Sequence, residues 1–430
     1  MAKDRTQVGK SHEQQPKEQR FAVELPLPLL STLIDSRAAV MELCVHTGLE
    51  VLQFMMEQDR TALCGPARQH APERTAYRGG HAPAEITLGG RRVAIDRPRV
   101  RSVAEQELAL PSFRWASDRD ALDRATWAAV ASGAATRRYE GLQPDLPQGV
   151  KGRASSRSAV SRRFVALSEK KLSECLSRSL ADLDLWVVMI DGIAFLDRMV
   201  LVALGIASDG KKHVLGLWEG TTENAAVARA LLRDLVERGL PADRPLLFVI
   251  DGSPALRKAL RESFGELAVV QRCQVHKIRN VLEHLPEEMR PRIRKALHDA
   301  YQLDNAKTAK RRLEQLARAL EDKQPSAARS LREGLEETLT LQRLGIRGAL
   351  WMTLRSTNPI ENLNGAIAKF TRNVKRWKGG SMILRWVGSA VLEAESHFHR
   401  VKGHDQMPDL IRALRQTQPS APLAEREEAA

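Results

Sequence analysis

Residues 185–191 read LWVVMID and residues 246–251 read LLFVID. Each is an apolar run closed by an aspartate, the pattern of a strand buried on both faces that ends at the edge of its sheet. Between them lie two more strand-like runs, residues 197–208 (DRMVLVALGIAS) and 210–220 (GKKHVLGLWEG). Ser208-Asp209-Gly210 joins these two, with residue types suited to a hairpin turn. Helical spacing follows over 223–238 and stops before Gly239. After the second aspartate come a helix over 254–264 and a strand over 267–273, LAVVQRC.

The order is therefore three antiparallel strands, then helix, strand, helix, strand. It predicts an α/β fold with a ribonuclease-H-like mixed sheet over 181–285. An all-parallel nucleotide-binding fold would alternate strand and helix from its start. Residues 280–345 are helical in pattern, strongly charged and without strand-like runs, which predicts an all-α insertion over 286–350. The core is expected to resume over 351–402. That stretch holds STNPIEN at 356–362, then a segment over 366–380 with five Lys/Arg and no acid, then a closing helix over 382–397. The tail over 403–430 ends in AEREEAA and is expected to fray.

Upstream, residues 1–20 are polar and charged, a composition expected to be disordered. Residues 21–180 are expected to form a mainly helical DNA-binding region. Apolar residues recur at helical spacing over 29–56, a Gly/Pro/His-rich loop spans 65–84, and EITLGGRRVAIDRPRVR (85–101) predicts a hairpin turned at Gly89-Gly90. Five arginines against two acids make this hairpin cationic, which suits either phosphate contact or a solvated edge. His70 and His81 lack partners at metal-ligand spacing and read as surface residues. A helix over 117–137, the short segment ATRRYEGLQ (135–143) and a helix opening SSRSAVSRRF (155–164) have the layout of a helix-turn-helix reader. In that reading Ser156, Arg157, Ser158, Ser161, Arg162 and Arg163 face bases and phosphates. A basic helical linker is the alternative.

Of the 430 residues, 43% are hydrophobic, as in ordinary globular domains, and the formal net charge is +14. That excess, clustered in the segments above, points to double-stranded DNA as partner. Cys44, Cys64, Cys175 and Cys273 show no disulfide-framework spacing. No segment approaches the ~18–20 apolar residues of a membrane span. With a polar start as well, a cytoplasmic protein is expected.

Asp191, Asp251 and Glu361 are the candidate catalytic and metal-binding residues. Both aspartates lie at the carboxyl ends of predicted strands, where open sheets place their ligand sites. Each is followed by glycine, which permits close approach of a phosphate or another backbone. Mg²⁺ or Mn²⁺ takes carboxylate oxygens, and a pair of such ions can activate the attacking oxygen and stabilise the leaving one in phosphodiester cleavage. Without cations, three converging carboxylates would repel by roughly 4 kcal/mol per pair at short range. Glu361 has a second reading, because Asn358-Pro359-Ile360-Glu361 also fits a helix start with Asn358 as cap and glutamate at the third position. Cys273 and His276 make only half a zinc site. His276 is instead a candidate catalytic residue, near the scissile phosphate or orienting an acid. Arg272, Lys277 and Arg279 suggest a DNA-facing cationic rim around it, and Lys369, Arg372, Lys375 and Arg376 a second one after Glu361.

The series ALGIASDGKKHVLGLWEGTTEN, VERGL, VIDGSPAL, VQRCQVHKIRN and STNPIENLN resembles, in order, the Mutator-type DDE transposases of bacterial insertion sequences. The resemblance is close over residues 185–395 and looser before. It implies a metal-binding triad of Asp191, Asp251 and Glu361, a helical insertion between the last two, and a Cys-x-x-His element at Cys273 and His276. It also implies binding of terminal inverted repeats, metal-dependent strand cleavage and strand transfer into target DNA, with a homodimer holding two ends in synapsis. IAFLDRMV (193–200) is more apolar than the family's usual residues there. A DNA-binding repressor derived from an inactive transposase, or a nuclease that cuts without joining, would share the same basic segments.

Overall fold

The computed structural model describes residues 37–69, 75–88, 90–118, 120–131, 133–134, 139, 146–220 and 225–417. The chain divides into two units, residues 1–125 with 140–156, and residues 126–139 with 157–430.

In the first unit, helix α1 (Arg37–Cys64) packs with a four-stranded sheet built from β1 (Ala76–Leu88), β2 (Arg91–Ser102), β3 (Glu107–Leu108) and β4 (Gly152–Arg153). A short helix, α2 (Pro111–Ala116), completes the layer. Leu52, Met56, Ile86, Val93, Val100 and Leu110 form its core. This unit is less helical than the sequence predicts. Strand β1 reaches back to Ala76, through residues expected to be loop, because its pairing shifts register between Arg78 and His81. That bulge absorbs Gly79-Gly80, with Gly80 at φ +75°, so the strand continues despite poor strand formers. His81 lies on this strand, 3.6 Å from the Glu57 carboxylate. The arginines of β2 are largely neutralised in place: Arg92 pairs with Glu85, and Arg97 and Arg99 with Glu107. His70, Gly89 and most of 135–143 lie outside the described residues, as do 1–36.

The second unit is organised on a five-stranded sheet. Its strands are β5 (Leu185–Phe195), β6 (Arg198–Ala207), β7 (Lys212–Gly220), β8 (Leu246–Ile250) and β9 (Ala268–Arg272), in the order β7-β6-β5-β8-β9. The first three are antiparallel, and β8 and β9 run parallel to β5. Both faces are covered, which is why these strands read as unbroken apolar runs. Val188, Ile190, Leu246, Phe248 and Ile250 face α5 (Ala225–Glu237) and α6 (Pro254–Phe264). Val187, Met189, Leu247 and Val249 face the other layer. That layer holds Val130 of α3 (Asp120–Ala131) and α4 (Arg157–Ser177), together with the helices at the C-terminal end of the described chain.

Strand alternation then decides the site. The series 187, 189, 191 on β5 and 247, 249, 251 on β8 puts Asp191 and Asp251 on the α4 side of the sheet.

Helices α7 (Gln274–Glu283), α8 (Arg290–Tyr301), α9 (Ala306–Glu321), α10 (Pro325–Arg332) and α11 (Leu335–Thr338) carry a separate apolar core running from Ile278 to Leu339. The chain rejoins the sheet through α12 (Thr340–Arg343) and α13 (Gly348–Leu354), since Leu341 and Leu350 already pack in the sheet core. Next come α14 (Asn358–Thr371), α15 (Gly380–Glu395) and α16 (Met407–Gln416). The expected frayed tail is, up to Thr417, a packed helix. Met407, Leu410 and Leu414 fall on one helical face and are fully buried, each worth roughly 1.5–3 kcal/mol.

Candidate active site

The last paired residues of β5 and β8 are Ile190 and Ile250. One residue further, both strands present an aspartate. Ile250 also pairs with Arg272 on β9, and the Cys273 N–H donates to the Ile250 carbonyl at 2.8 Å. Asp191 therefore stands beside Asp251 and Cys273, but it lies inside β5 and not at its carboxyl end as the sequence predicts. Pairing with β6 carries that strand on to Phe195, whereas Asp251 and Cys273 directly follow β8 and β9.

Each aspartate is held by its own loop. The Asp251 Oδ1 accepts the Ser253 N–H at 2.9 Å, while Asp191 Oδ1 accepts the Gly192 N–H at 3.0 Å. The other Asp191 oxygen, Oδ2, accepts the Asn364 Nδ2 amide at 2.7 Å, which ties β5 to α14. Burial pushes the Asp191 carboxyl up to about 6, and the Asp251 charge adds to the rise. The Gly192 hydrogen bond and His276 oppose it, and Glu361 adds a smaller push upward. Asp251, Glu361 and His276 thus all bear on the charge of Asp191.

Glu361 arrives on the first turn of α14, whose N-cap is Thr357, one residue earlier than the sequence pattern suggests. The glutamate does not close the helix start: the Thr357 side chain accepts no N–H of the first turn, and its hydroxyl instead donates to Glu361 Oε1 at 2.6 Å. Thr357 Oγ1 also lies 3.3 Å from His276 Nδ1 and 3.4 Å from Cys273 Sγ. His276 Nδ1 is 3.8 Å from Glu361 Oε1. The hydrogen bond to Cys273 pushes the imidazole pKa up against the opposing effect of burial, and the Glu361 and Asp251 charges help. Burial would raise the Cys273 thiol, but its hydrogen bonds with His276 and Thr357 outweigh that and hold it below its ordinary value.

Ligand atoms of Cys273, His276 and Glu361 fall within 4.8 Å of one another. The fully buried Thr357 hydroxyl already links all three, and Cys273 Sγ caps α7 through the His276 N–H. This set reads as a hydrogen-bonded brace for Glu361. Among the described residues, Asp191 and Asp251 do not join a set of ligand atoms this close. Asn364 Oδ1 is buried without a hydrogen-bond partner beside Asp191.

Sequence reasoning missed Asn364 and Thr357. The i, i+3 spacing of Glu361 and Asn364 within NPIENLN places both on one helix face, which is the signal that could have found the first. Nothing local marks Thr357.

Two predicted rim residues face inward instead. Lys277 is fully buried, and its Nζ donates to the Ser330 and Glu333 carbonyls at 2.6 Å each. Burial lowers its pKa to about 8, with the Arg272 charge adding to the fall. Arg272 is 4% exposed and donates to the Gly252 carbonyl at 2.9 Å and to Glu333. Gly252, at φ +109°, has no room for a Cβ because the Arg272 guanidinium fills that space. The glycine after Asp251 therefore serves an internal arginine: Arg272 fastens the insertion to the Asp251 loop, while Lys277 fastens α7 to α10 and the Glu333 that follows it. Arg279 is exposed, as are Arg157, Ser158, Arg162, Lys369, Arg372, Lys375 and Arg376, while Arg163 is half-buried. Helix α4 is docked through Phe164, whose ring is 4.8 Å from Trp386 and 6.2 Å from Trp127. The predicted recognition helix is thus packed on the sheet unit and begins where the chain re-enters that unit, at Arg157. Among the described residues no helix is long and apolar enough to cross a membrane.

A profile of the family described as "Transposase, Mutator family" matches residues 34–401. The chain is 28% identical over 376 residues to the transposase for insertion sequence element ISRM5 of Rhizobium meliloti (strain 1021), covering 84% of this chain and 89% of the relative. It is 26% identical over 366 residues to the transposase for IS1081 of Mycobacterium tuberculosis (81% and 83% covered). The transposase for IS256 in transposon Tn4001 of Staphylococcus aureus is 24% identical over 354 residues (80% and 87% covered).

Proposed function

Because this chain belongs to the Mutator family of transposases, we propose that it binds the terminal inverted repeats of an insertion sequence and cuts and rejoins DNA strands with a DDE triad on a ribonuclease-H-like core. The observation that carries the reading is the register: Asp191 and Asp251 follow the Ile190–Ile250 pair on neighbouring parallel strands, and α14 brings Glu361 to the same end. The strand order β7-β6-β5-β8-β9, with three antiparallel strands and two parallel additions, supports the fold assignment.

Asp191, Asp251 and Glu361 would hold Mg²⁺ or Mn²⁺, in the manner of a two-ion site. The donor chemistry supports this, since burial and the Asp251 charge oppose ionisation of Asp191, which a cation drawn in beside it would relieve, and the unpartnered Asn364 Oδ1 is a further oxygen beside Asp191. When bound, the ions supply activation of the attacking oxygen and stabilisation of the leaving oxygen. The chain's own residues supply position. Asn364 fixes the orientation of Asp191, and Thr357 and His276 fix that of Glu361. Water attacks the phosphorus at the element's end and releases a 3′-hydroxyl. That hydroxyl then attacks a target phosphodiester, displacing its 3′-oxygen without a covalent protein–DNA intermediate. Exposed cations on α4 (Arg157, Arg162), at Arg279, and at Lys369, Arg372, Lys375 and Arg376 would hold phosphates, with two copies of the chain holding two ends.

The test is Asp251→Ala in the full chain, assayed on duplexes carrying the terminal repeat. Cleavage and joining should be lost while end binding by gel shift is retained. Undiminished Mg²⁺-dependent cleavage by that variant would sink the triad, and cutting without strand-transfer products would favour a nuclease.

A further inference from the structure

We propose that Leu196, at the tip of the β5–β6 hairpin, is an apolar wedge that enters the base stack of the DNA strand being cut. The proposal rests on the strand-cleavage reading and adds a residue that meets bases rather than phosphates.

The parallel pairing of β5 with β8 ends at Ile190–Ile250, but β5 continues to Phe195, paired with β6 from Asp191–Val202 to Phe195–Arg198. The hairpin therefore projects past the acidic site, its tip five residues beyond Asp191, about 16 Å along the strand. Its loop is Leu196-Asp197, and Leu196 has φ +53°. A two-residue hairpin loop with positive φ at its first position is the setting in which glycine is the rule. Leucine there strains the backbone. Leu196 is also 80% exposed, more than any other large hydrophobic side chain among the described residues. The fold repays neither cost, which points to a use outside it.

What surrounds the tip indicates the occupant. Phe195, directly behind it, is buried edge-on against Trp377, with ring centroids 5.2 Å apart. Glu219, paired with Arg198, packs against Gly380. These two contacts brace the hairpin against the segment Lys375-Arg376-Trp377-Lys378, whose three cationic residues are exposed. A rigid apolar point beside exposed cations suits a nucleic acid, with phosphates on the cations and the leucine between base steps. Unstacking there would free the strand to bend toward the acids. A protein partner would have no comparable need for the flanking positive charge.

The experiment uses the full chain with end duplexes that carry 2-aminopurine at single positions across the cleavage junction, in Ca²⁺ to hold the uncut complex. The wild type should give a several-fold fluorescence rise at one or two adjacent positions. Leu196→Ala should bind equally by anisotropy yet lose the rise, and Leu196→Phe should keep it. Leu196→Gly should lose the rise while raising the Tm, because it relieves the turn. An undiminished rise with Leu196→Ala, or a lowered Tm with Leu196→Gly, would overturn the wedge. So would a wild type that binds and cuts without any rise, which would leave the transposase reading intact. A wild type that neither binds nor cuts end DNA defeats both. A change in self-association alone on Leu196→Ala would make the hairpin a protein contact and reject the proposal.

Discussion

With its carboxyl pushed up to about 6 by burial and by the Asp251 charge, Asp191 gives the protein a pH dependence opposite in sign to that of a salt-bridged aspartate. Below its ordinary value of 3.8 the group is protonated both folded and unfolded, and it costs nothing. As pH rises from there toward 6, the unfolded chain loses this proton while the folded chain keeps it, so stability falls. Above 6 the penalty is complete, at most about 3 kcal/mol at roughly 1.4 kcal/mol per unit. Metal-free Asp191→Asn should therefore be more stable than the wild type above about pH 7, with the difference vanishing below about pH 4. Urea unfolding in EDTA across that range reads it directly, and a difference that does not vary with pH would refute the assignment. Adding Mn²⁺ at neutral pH should stabilise the wild type and leave this variant nearly unchanged.

Among the elements, the joint between the helical insertion and the sheet is the one whose failure should reach the site. Arg272, at the end of β9, is threaded between Gly252 and Gly334, neither of which has space for a Cβ beside the guanidinium. It donates to the Gly252 carbonyl and to Glu333, and Lys277 adds two hydrogen bonds to the same turn. Replacing Arg272 with Met would leave buried carbonyls unpaired and cost about 3 kcal/mol. Hydrogen exchange should show the loss first in α10 and α11, then in the Asp251 loop. Unchanged exchange in α10 and α11 would show that the insertion is fastened elsewhere.

For the whole molecule, the net charge of +14 predicts steep weakening of DNA binding with salt. The exposed cations after Glu361 should contribute a countable part of it. Removing Arg372, Lys375 and Arg376 together should lower the slope of log K against log salt by about 0.9 per lost phosphate contact, equally for end and unrelated DNA. Arg157 and Arg162 replacements should instead reduce the preference for ends. Competition binding at several salt concentrations separates the two, and an unaltered slope in the triple variant would remove this surface from the DNA path.

The strands and their order were legible in the chain itself, because burial on both faces writes continuous apolar runs and the two aspartates stand where those runs stop. The basic segments and the helical insertion were legible for similar reasons of composition and period. The bulge that carries β1 through Gly79-Gly80 was not, since only the partner strand makes it favourable. Nor was the inward turn of Arg272 and Lys277, because a cation's sequence neighbours do not say whether a carbonyl or a phosphate awaits it. Asp191 and Glu361 are 170 positions apart (361 − 191), and no local pattern could reveal that Thr357, His276 and Asn364 would fix their orientation. Those contacts exist only because the sheet register and the packing of α14 bring the segments together.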